Sequence, residues 1–303
     1  MMAERVFSDE ELRVGGLRSV DGLAEALATG DREAALGFVR RLRGEILTML
    51  GSYDGWEKTL RAEIVARSGA AAEAATMAAI EDPAIAPERG PVEGDASDRW
   101  RGLARSIRAA VEEGDDAGAL EQARSLHAEA LARHDRGMSR VAALLSWIGR
   151  EYGTEAVGEA LGRAMSSDFG GDDFRGRAEA LMHFTRVHLQ PFELEEDDEK
   201  LTFLCAVCPS GGRLLREGHY DAPRSGLHLD GPSWLTYGRD ELPVYCAHEP
   251  VMEKASIEET GAPMFIVEPS ERLGEIPCRT YLYKKAVDIP ERFYTRLGLI
   301  KPR

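Results

Sequence analysis

GDREAALGFVRRLRGEILTML, residues 30–50, aligns without a gap on GDDAGALEQARSLHAEALARH, residues 114–134, at an offset of 84 residues. Apolar residues recur along both segments at steps of three and four, which predicts two amphipathic helices. The identical aligned pairs are Gly30/Gly114, Asp31/Asp115, Ala35/Ala119, Leu36/Leu120, Arg40/Arg124, Leu42/Leu126, Glu45/Glu129 and Leu47/Leu131. Amphipathic helices resemble one another through periodicity alone, but the common Gly-Asp start and the matched Arg and Glu favour an internal duplication.

The segments around this pair carry further helix signals. Ser8 and Glu11 have the spacing of a capping box, in which two side chains satisfy backbone donors at a helix start. Gly51 and Gly55 fall inside the first long apolar pattern. Their backbone freedom predicts a kink or a short break in that helix.

Prolines mark a connection between the two copies. EDPAIAPERGPVEGDAS, residues 81–97, contains three prolines, which remove helix donors and fix the backbone, so we predict a linker there. Helical patterns extend on both sides of it. We therefore predict a helical bundle over residues 1–192, with an internal repeat over about 20–68 and 100–152.

The composition of the chain excludes several classes of partner. Its 303 residues include 53 acidic and 38 basic side chains, which give a net charge of −15. Such a field repels phosphate backbones and anionic lipids, so we expect neither nucleic acid nor membrane as a partner. The N-terminus has no apolar run typical of a signal peptide, and four cysteines are too few for a disulfide framework. These features predict a cytoplasmic protein.

The pattern changes near Phe192. ELEEDDEK, residues 193–200, is interpreted as an acidic connector, and short apolar runs bounded by Gly and Pro follow it. The predicted strands are LTFLCAV, GRLLREG, GLHLDG, PVYCAH, PMFIVEP and RTYLYK, and the predicted helices are MEKASIEETG and PERFYTRLGL. Residues 193–303 are therefore predicted to form a small α+β domain around an antiparallel sheet, and the chain as a whole is α+β.

Two close pairs of soft ligands stand out in this domain. Cys205-x2-Cys208 and Cys246-x-His248 are separated by 37 residues (209–245). Thiolate and imidazole groups in such pairs are typical of a zinc site, and we predict that these four residues bind zinc. A closed set of four would be structural, whereas Cys278 offers an alternative ligand or a nucleophile. An iron–sulfur cluster is less favoured, and ordinary buried cysteines remain the competing interpretation.

Four more side chains are candidates for binding or catalysis. His134 takes the place that Leu50 has in the first copy, and it is a candidate general base, although a surface histidine would look the same. Arg213 follows a Gly-Gly turn, and Tyr237 and Arg239 flank another glycine. We predict that these three bind an anionic group of the substrate. His183 and His188 are about 140° apart around a helix and are not predicted as a metal pair.

The motifs CxxCPSGGR, YGRxxxPVYCAHE, IEETGAP and CRTYLYK in the last 110 residues resemble those of a group of uncharacterised bacterial proteins. The layout of a helical N-terminal half and a cysteine-bearing α+β half is also similar to that of the L-2-amino-thiazoline-4-carboxylic acid hydrolase-like proteins. That similarity implies a small-molecule hydrolase.

Together these features favour a zinc-dependent enzyme, a hydrolase or a lyase. It would act on a small polar or anionic molecule at the junction of the two domains. The alternative is a non-enzymatic interaction protein with a structural zinc site and a helical docking surface. Homo-oligomerisation is left open by the sequence.

Overall fold

A computed structural model describes residues 5–82, 96–165, 170–171 and 173–302 of the chain. The α+β prediction is confirmed, with a helical N-terminal part and a small antiparallel sheet after it. The helices in the described ranges are α1 Asp9–Gly16, α2 Ser19–Thr29, α3 Arg32–Ser68, α4 Ala70–Ile80, α5 Ala96–Glu113, α6 Asp116–Tyr152, α7 Thr154–Ala164, α8 Phe174–Arg186, α9 Gly211–Arg216, α10 His248–Thr260 and α11 Arg292–Thr295. The strands are β1 Glu193–Glu196, β2 Lys200–Leu204, β3 His228–Asp230, β4 Glu241–Pro243, β5 Ile266–Glu268 and β6 Arg279–Tyr283. No helix in these ranges is both long and apolar enough to cross a membrane.

The aligned segments form the first halves of two helices of equal length. Both α3 and α6 have 37 residues, and their first residues are 84 positions apart. Asp31 and Asp115 cap the two helices in the same way, each accepting a backbone N–H three residues on. Gly69 and Gly153 end them with positive φ angles of 85° and 86°, and a helix of 11 residues follows each.

The two long helices lie side by side and run in parallel. Arg32 forms an ion pair with Asp116 near their N-termini, and Ser68 contacts the hydroxyl of Tyr152 near their C-termini. Both contacts join residues 84 positions apart. Because equivalent ends meet, the copies pack in register.

The long helix α3 continues through Gly51 and Gly55, so the predicted short break does not occur. Glycine weakens a helix by about 1 kcal/mol but still donates its backbone N–H, so the packed face on either side keeps the helix continuous. The predicted linker at 81–97 lies mostly outside the described residues. Its last two positions belong to α5, which begins at Ala96.

The sheet of the C-terminal part has the order β1-β2-β6-β5, and every neighbouring pair is antiparallel. The prediction of an acidic connector at residues 193–200 is wrong, because the first four of these residues form the edge strand β1. Glu196 in β1 accepts the backbone N–H groups of Val6 and Phe7, which joins the N-terminus to the sheet. The strands β3 and β4 form a separate antiparallel ribbon.

Two predicted strands are helical instead. GRLLREG forms α9, where Arg213 bonds Glu217 one turn later and Leu214 is fully buried. PVYCAH begins at Pro243, the last residue of β4, and then forms a 3₁₀ helix over Val244–Ala247. The helix α10 follows directly. Short apolar runs that are buried on several sides do not reveal whether they are strand or helix.

A continuous hydrophobic core joins the two parts of the chain. The core of the long helices also includes Leu214, Leu229, Val244 and Tyr245 from the C-terminal part. A second cluster packs α1 and α8 against the sheet. The helix α8 therefore has the bundle on one side and the sheet on the other, and the candidate site lies beside it.

Candidate functional site

A cavity of about 120 Å³ lies between α8, the loop after β2, the start of α10 and the strands β5 and β6. All four cysteines of the chain line this space, which we call the thiol cavity. Its other polar lining residues are Thr185, His188, Ser210, Tyr237, His248, Glu249 and Thr280. Much of the remaining wall is apolar, from Leu181, Phe184, Leu242, Phe265 and Val267.

Tight backbone packing brings the cysteines to this cavity. Cys205 and Cys208 lie in the loop after β2, and the sulfur of Cys208 accepts a backbone N–H four residues on at 3.3 Å. A Cβ atom added to Gly211 would lie 2.3 Å from Sγ of Cys246. A side chain at residue 211 would therefore require Sγ of Cys246 to move. Cys278 reaches the cavity from the residue before β6.

The four thiols are protonated at neutral pH. Burial raises the pKa of Cys205 to about 12 and that of Cys278 to about 11, and neighbouring thiols add to both shifts. Burial also raises the pKa of Cys208 and of Cys246. The cavity therefore presents weak, neutral S–H groups rather than thiolates.

Both ring nitrogens of His248 are already engaged. Its Nδ1–H donates to the carbonyl of Tyr245 at 2.6 Å, and its Nε2 lies 2.9 Å from a carboxylate oxygen of Glu249. Burial opposes the charged imidazole, but the Glu249 carboxylate outweighs it, so the pKa of His248 is raised. The ring is held by its neighbours and offers no free lone pair to a metal ion in this arrangement.

The four predicted zinc ligands all line the thiol cavity. Within the described part of the chain, no group of three or more His, Cys, Asp or Glu side chains is arranged to hold a metal ion. Cys205, Cys208, Cys246 and His248 have suitable donor chemistry, but as they stand they do not fit a tetrahedral ion. Zinc at these residues stays a prediction.

Elemental analysis tests that prediction on the wild type and on Cys208→Ser and Cys246→Ser. If the predicted set binds zinc, about one ion per chain is expected in the wild type and none in either variant. A wild-type protein that is folded and free of metal would show that the prediction is wrong.

A chain of buried side chains leads from the bundle to the cavity. Nδ1 of His134 lies 3.1 Å from a carboxylate oxygen of Asp135, and its Nε2 lies 2.9 Å from Nδ1 of His188. Because Asp135 accepts the Nδ1–H of His134, Nε2 of His134 is the acceptor and Nδ1–H of His188 donates to it. Nε2 of His188 is then a base with a lone pair on the cavity wall, with no protein partner among the described residues.

The surroundings keep both histidines neutral and hold Asp135 in place. Burial lowers the pKa of His134, and burial together with His134 and His248 lowers the pKa of His188 well below its usual value. Arg213 donates to the second carboxylate oxygen of Asp135 at 2.5 Å. The Tyr53 hydroxyl lies 3.3 Å from Nε2 of His134.

Ser210 adds an unused polar atom to the cavity wall. The residue is 8% exposed, and its Oγ has no hydrogen-bond partner. The Tyr245 hydroxyl lies nearby but without hydrogen-bond geometry. An unsatisfied buried hydroxyl costs free energy.

Backbone strain occurs on two sides of the cavity. Leu189, next to His188, has a φ angle of 58°, and Tyr237 has a φ angle of 56°. Residues other than glycine rarely adopt this left-handed region of φ, because it costs about 1 kcal/mol or more. Such strain is more frequent at functional sites than elsewhere.

A fully buried carboxylate holds the Tyr237 side of the cavity. Glu253 accepts the hydroxyl of Tyr237, the backbone N–H of Val267 at 2.7 Å and a guanidinium N–H of Arg296 at 2.6 Å. Burial raises the pKa of Glu253 to about 7, although these three donors oppose the shift. The group fixes Tyr237 from behind the cavity wall.

The other predicted residues differ in their relation to the cavity. Tyr237 lines it, His134 lies behind His188, and Arg213 lies behind His134 through Asp135. Arg239 is not among the lining residues, and its guanidinium contacts a backbone carbonyl at 3.4 Å. His188 was not predicted as a base, because its sequence position suggested only a comparison with His183, which lies about 140° away around the helix.

In comparisons with family models, with curated proteins and with solved structures, the chain finds no match. The similarity in layout to the hydrolase-like group therefore remains an interpretation of the sequence.

Proposed function

We propose that this protein is an enzyme that performs acid–base chemistry, hydrolysis or elimination, on a small molecule bound in the thiol cavity. The observation that supports it best is the series Asp135–His134–His188, which ends at a lined cavity with a free imidazole nitrogen. A carboxylate behind an imidazole is the arrangement that orients a catalytic base and stabilises its protonated form. Here a second imidazole extends that arrangement to the cavity.

In the proposed reaction, Nε2 of His188 removes a proton from the substrate or from an attacking water. As this proton arrives, the Nδ1–H of His188 strengthens its bond to His134, and Asp135 stabilises the positive charge at the far end. In the second half of the reaction, Nε2 returns the proton to the leaving group. Asp135 keeps His134 in the required tautomer, and Arg213 holds Asp135, so both are positioning residues.

The cavity also limits the substrate. A volume of about 120 Å³ with a largely apolar wall suits a compact molecule with few polar atoms. No arginine lines the cavity in the described chain, so a neutral polar substrate is favoured over a strongly anionic one.

The test uses the fact that every cysteine of the chain lines this one cavity. The purified protein is assayed with small neutral esters, thioesters, amides and β-hydroxy carbonyl compounds. It is then alkylated with iodoacetamide, and the modified cysteines are identified by mass spectrometry. We expect turnover of at least one class, loss of turnover on alkylation, and slower alkylation when that substrate is present.

Turnover that survives complete alkylation would place the chemistry outside the thiol cavity and contradict the proposal. If no class is turned over and the compounds do not slow alkylation, the non-enzymatic interaction protein becomes the better hypothesis. Alkylation itself is expected to be slow at neutral pH, because burial raises the pKa of the Cys205 thiol to about 12.

A further inference from the structure

Two of the cysteines occupy facing positions where the central strand pair of the sheet ends. The antiparallel register of β2 and β6 places Leu204 opposite Arg279 as its last pair. The next two residues to face each other in that register are Cys205 and Cys278. Facing residues of antiparallel strands have Cα atoms about 4.5–5.5 Å apart and side chains on the same side of the sheet. The register therefore places these two thiols side by side.

The packing of the sheet agrees with this placement. Side chains two positions apart along a strand point to the same face. Leu201 and Phe203 lead in steps of two to Cys205, and both belong to the second hydrophobic cluster. Leu282, four positions after Cys278, belongs to it as well. Both cysteines pack against that cluster and line the thiol cavity, so their side chains share one face and one space.

The separation is close to that of a disulfide. Bonded cysteines have Cα atoms about 4.4–6.8 Å apart and Cβ atoms about 3.5–4.5 Å apart. Facing Cβ atoms of regular strands lie about 4.5–5.5 Å apart, so a bond requires an approach of about 1 Å. Because β2 ends at Leu204 and β6 begins at Arg279, both cysteines lie in loops that can make this adjustment. A disulfide under such strain is reduced more easily than a relaxed one.

Cys205 also begins the loop that forms one wall of the thiol cavity. Within this loop, residues 205–210, the other lining residues are Cys208, Pro209 and Ser210. Val207 is 54% exposed, so the loop lies at the protein surface. The cavity holds about 120 Å³, less than the about 300–1,000 Å³ of most ligand sites, so its wall must move to admit a larger molecule. The surface loop is the part of the wall that has no regular secondary structure on the β2 side.

We propose that Cys205 and Cys278 form a reversible disulfide that fixes the loop 205–210 to the start of β6 and closes the thiol cavity under oxidising conditions. This switch requires no reaction in the cavity and is independent of the proposed enzyme activity. The oxidant is a small peroxide, for which hydrogen peroxide is the probe.

The chemistry needs only the two thiols and one peroxide. One thiol gives its proton to water and attacks an oxygen of hydrogen peroxide, so that the O–O bond breaks, a sulfenic acid forms and one water leaves. The second thiol also loses its proton and attacks that sulfur, so that the S–S bond forms and the S–O bond breaks with release of a second water. The two sulfurs together lose two electrons, which reduce the peroxide. A dithiol restores both thiols by exchange.

Disulfide mapping tests the bond. The full chain is treated with hydrogen peroxide, digested without reduction, and analysed by tandem mass spectrometry as wild type, Cys278→Ser and Cys246→Ser. Cys246→Ser is the matched control, because it removes a cysteine of the same cavity that has no facing partner in the sheet. We expect a Cys205–Cys278 crosslink in the wild type and in the control, none in Cys278→Ser, and its loss on addition of dithiothreitol.

Alkylation of Cys246 by iodoacetamide tests the closure. Oxidation of the wild type is expected to slow this alkylation about fivefold or more, because the crosslink restricts local opening of the loop. Peroxide treatment of Cys278→Ser should leave the rate unchanged. Thermal unfolding confirms that each variant is folded, and Cys278→Ala replaces Cys278→Ser if the serine variant is not.

Three results would overturn the proposal. They are the absence of any crosslink in the wild type, a crosslink that joins Cys208 to Cys246 instead, and a Cys205–Cys278 bond that leaves the alkylation rate of Cys246 unchanged.

Discussion

Turnover of a substrate found for the thiol cavity is expected to fall about 10²–10⁴-fold when His188 is replaced by glutamine. Glutamine preserves a donor toward His134 but has no basic nitrogen to accept a proton from the substrate. The loss should appear in kcat rather than in KM, because the substrate still fits the cavity. Steady-state kinetics of the two proteins measure both quantities.

His183→Gln is the matched control for this experiment. His183 lies on the same helix α8 and its Nε2 contacts the Thr48 hydroxyl at 3.0 Å, but it does not line the thiol cavity. Turnover by His183→Gln should therefore equal that of the wild type. Equal turnover by His188→Gln and wild type would instead remove His188 from the reaction.

The pH dependence of the rate follows from the lowered pKa of His188. Burial and the nearby His134 and His248 favour its neutral form, so Nε2 is unprotonated at pH 7. The rate should therefore be constant as the pH falls through 6.5, the usual histidine value, and should decline only in more acidic solution. A decline centred at or above 6.5 would contradict this environment for the base.

Glu253→Ala is expected to destabilise the protein by about 3–5 kcal/mol, because it leaves the Arg296 charge without its buried partner. Glu253 is fully buried, and the side chain of Arg296 is only 13% exposed. The substitution also removes the acceptor of Tyr237 and of the Val267 N–H. Urea unfolding of wild type and variant gives the difference in free energy.

Glu253→Gln keeps the shape and separates packing from charge. Its carbonyl can still accept from Tyr237 and Val267, but its amide would face the Arg296 donor, so a smaller loss than in Glu253→Ala is expected. Glu258→Ala, at an exposed residue of the same helix that pairs with Lys254, should change stability by less than about 1 kcal/mol. A similar effect of Glu253→Ala and Glu258→Ala would contradict the buried ion pair.

The sign of the pH effect on stability follows from the same carboxyl group. The pKa of Glu253 is about 7 in the folded protein, whereas its ordinary value, which applies to the unfolded chain, is 4.5. The folded state therefore binds the proton more tightly than the unfolded state does. Its contribution to the free energy of unfolding is therefore largest below pH 4.5 and declines as the pH rises to about 7. Glu253→Gln should remove this component of the wild-type pH profile.

Sequence alone determined the helical architecture because its signals are local. The step of three and four residues, the Asp31 and Asp115 caps and the capping box at Ser8 all act within one or two helical turns. The sheet was partly predictable for the same reason, and RTYLYK forms β6 as expected. Local rules failed where burial on several sides made apolar runs ambiguous, as in α9.

Only the tertiary structure decided what the candidate site contains. His134 and His188 are 54 residues apart, and Tyr53 and Tyr245 are 192 apart, so no local pattern could predict that they meet. The sequence pointed to His134 as a base, but packing buries it completely and leaves His188 at the cavity. The sequence also predicted that Cys205, Cys208 and Cys246 lie together, with Cys278 as an alternative ligand, but it did not reveal their geometry. The positions of side chains across a core depend on how whole helices and strands pack.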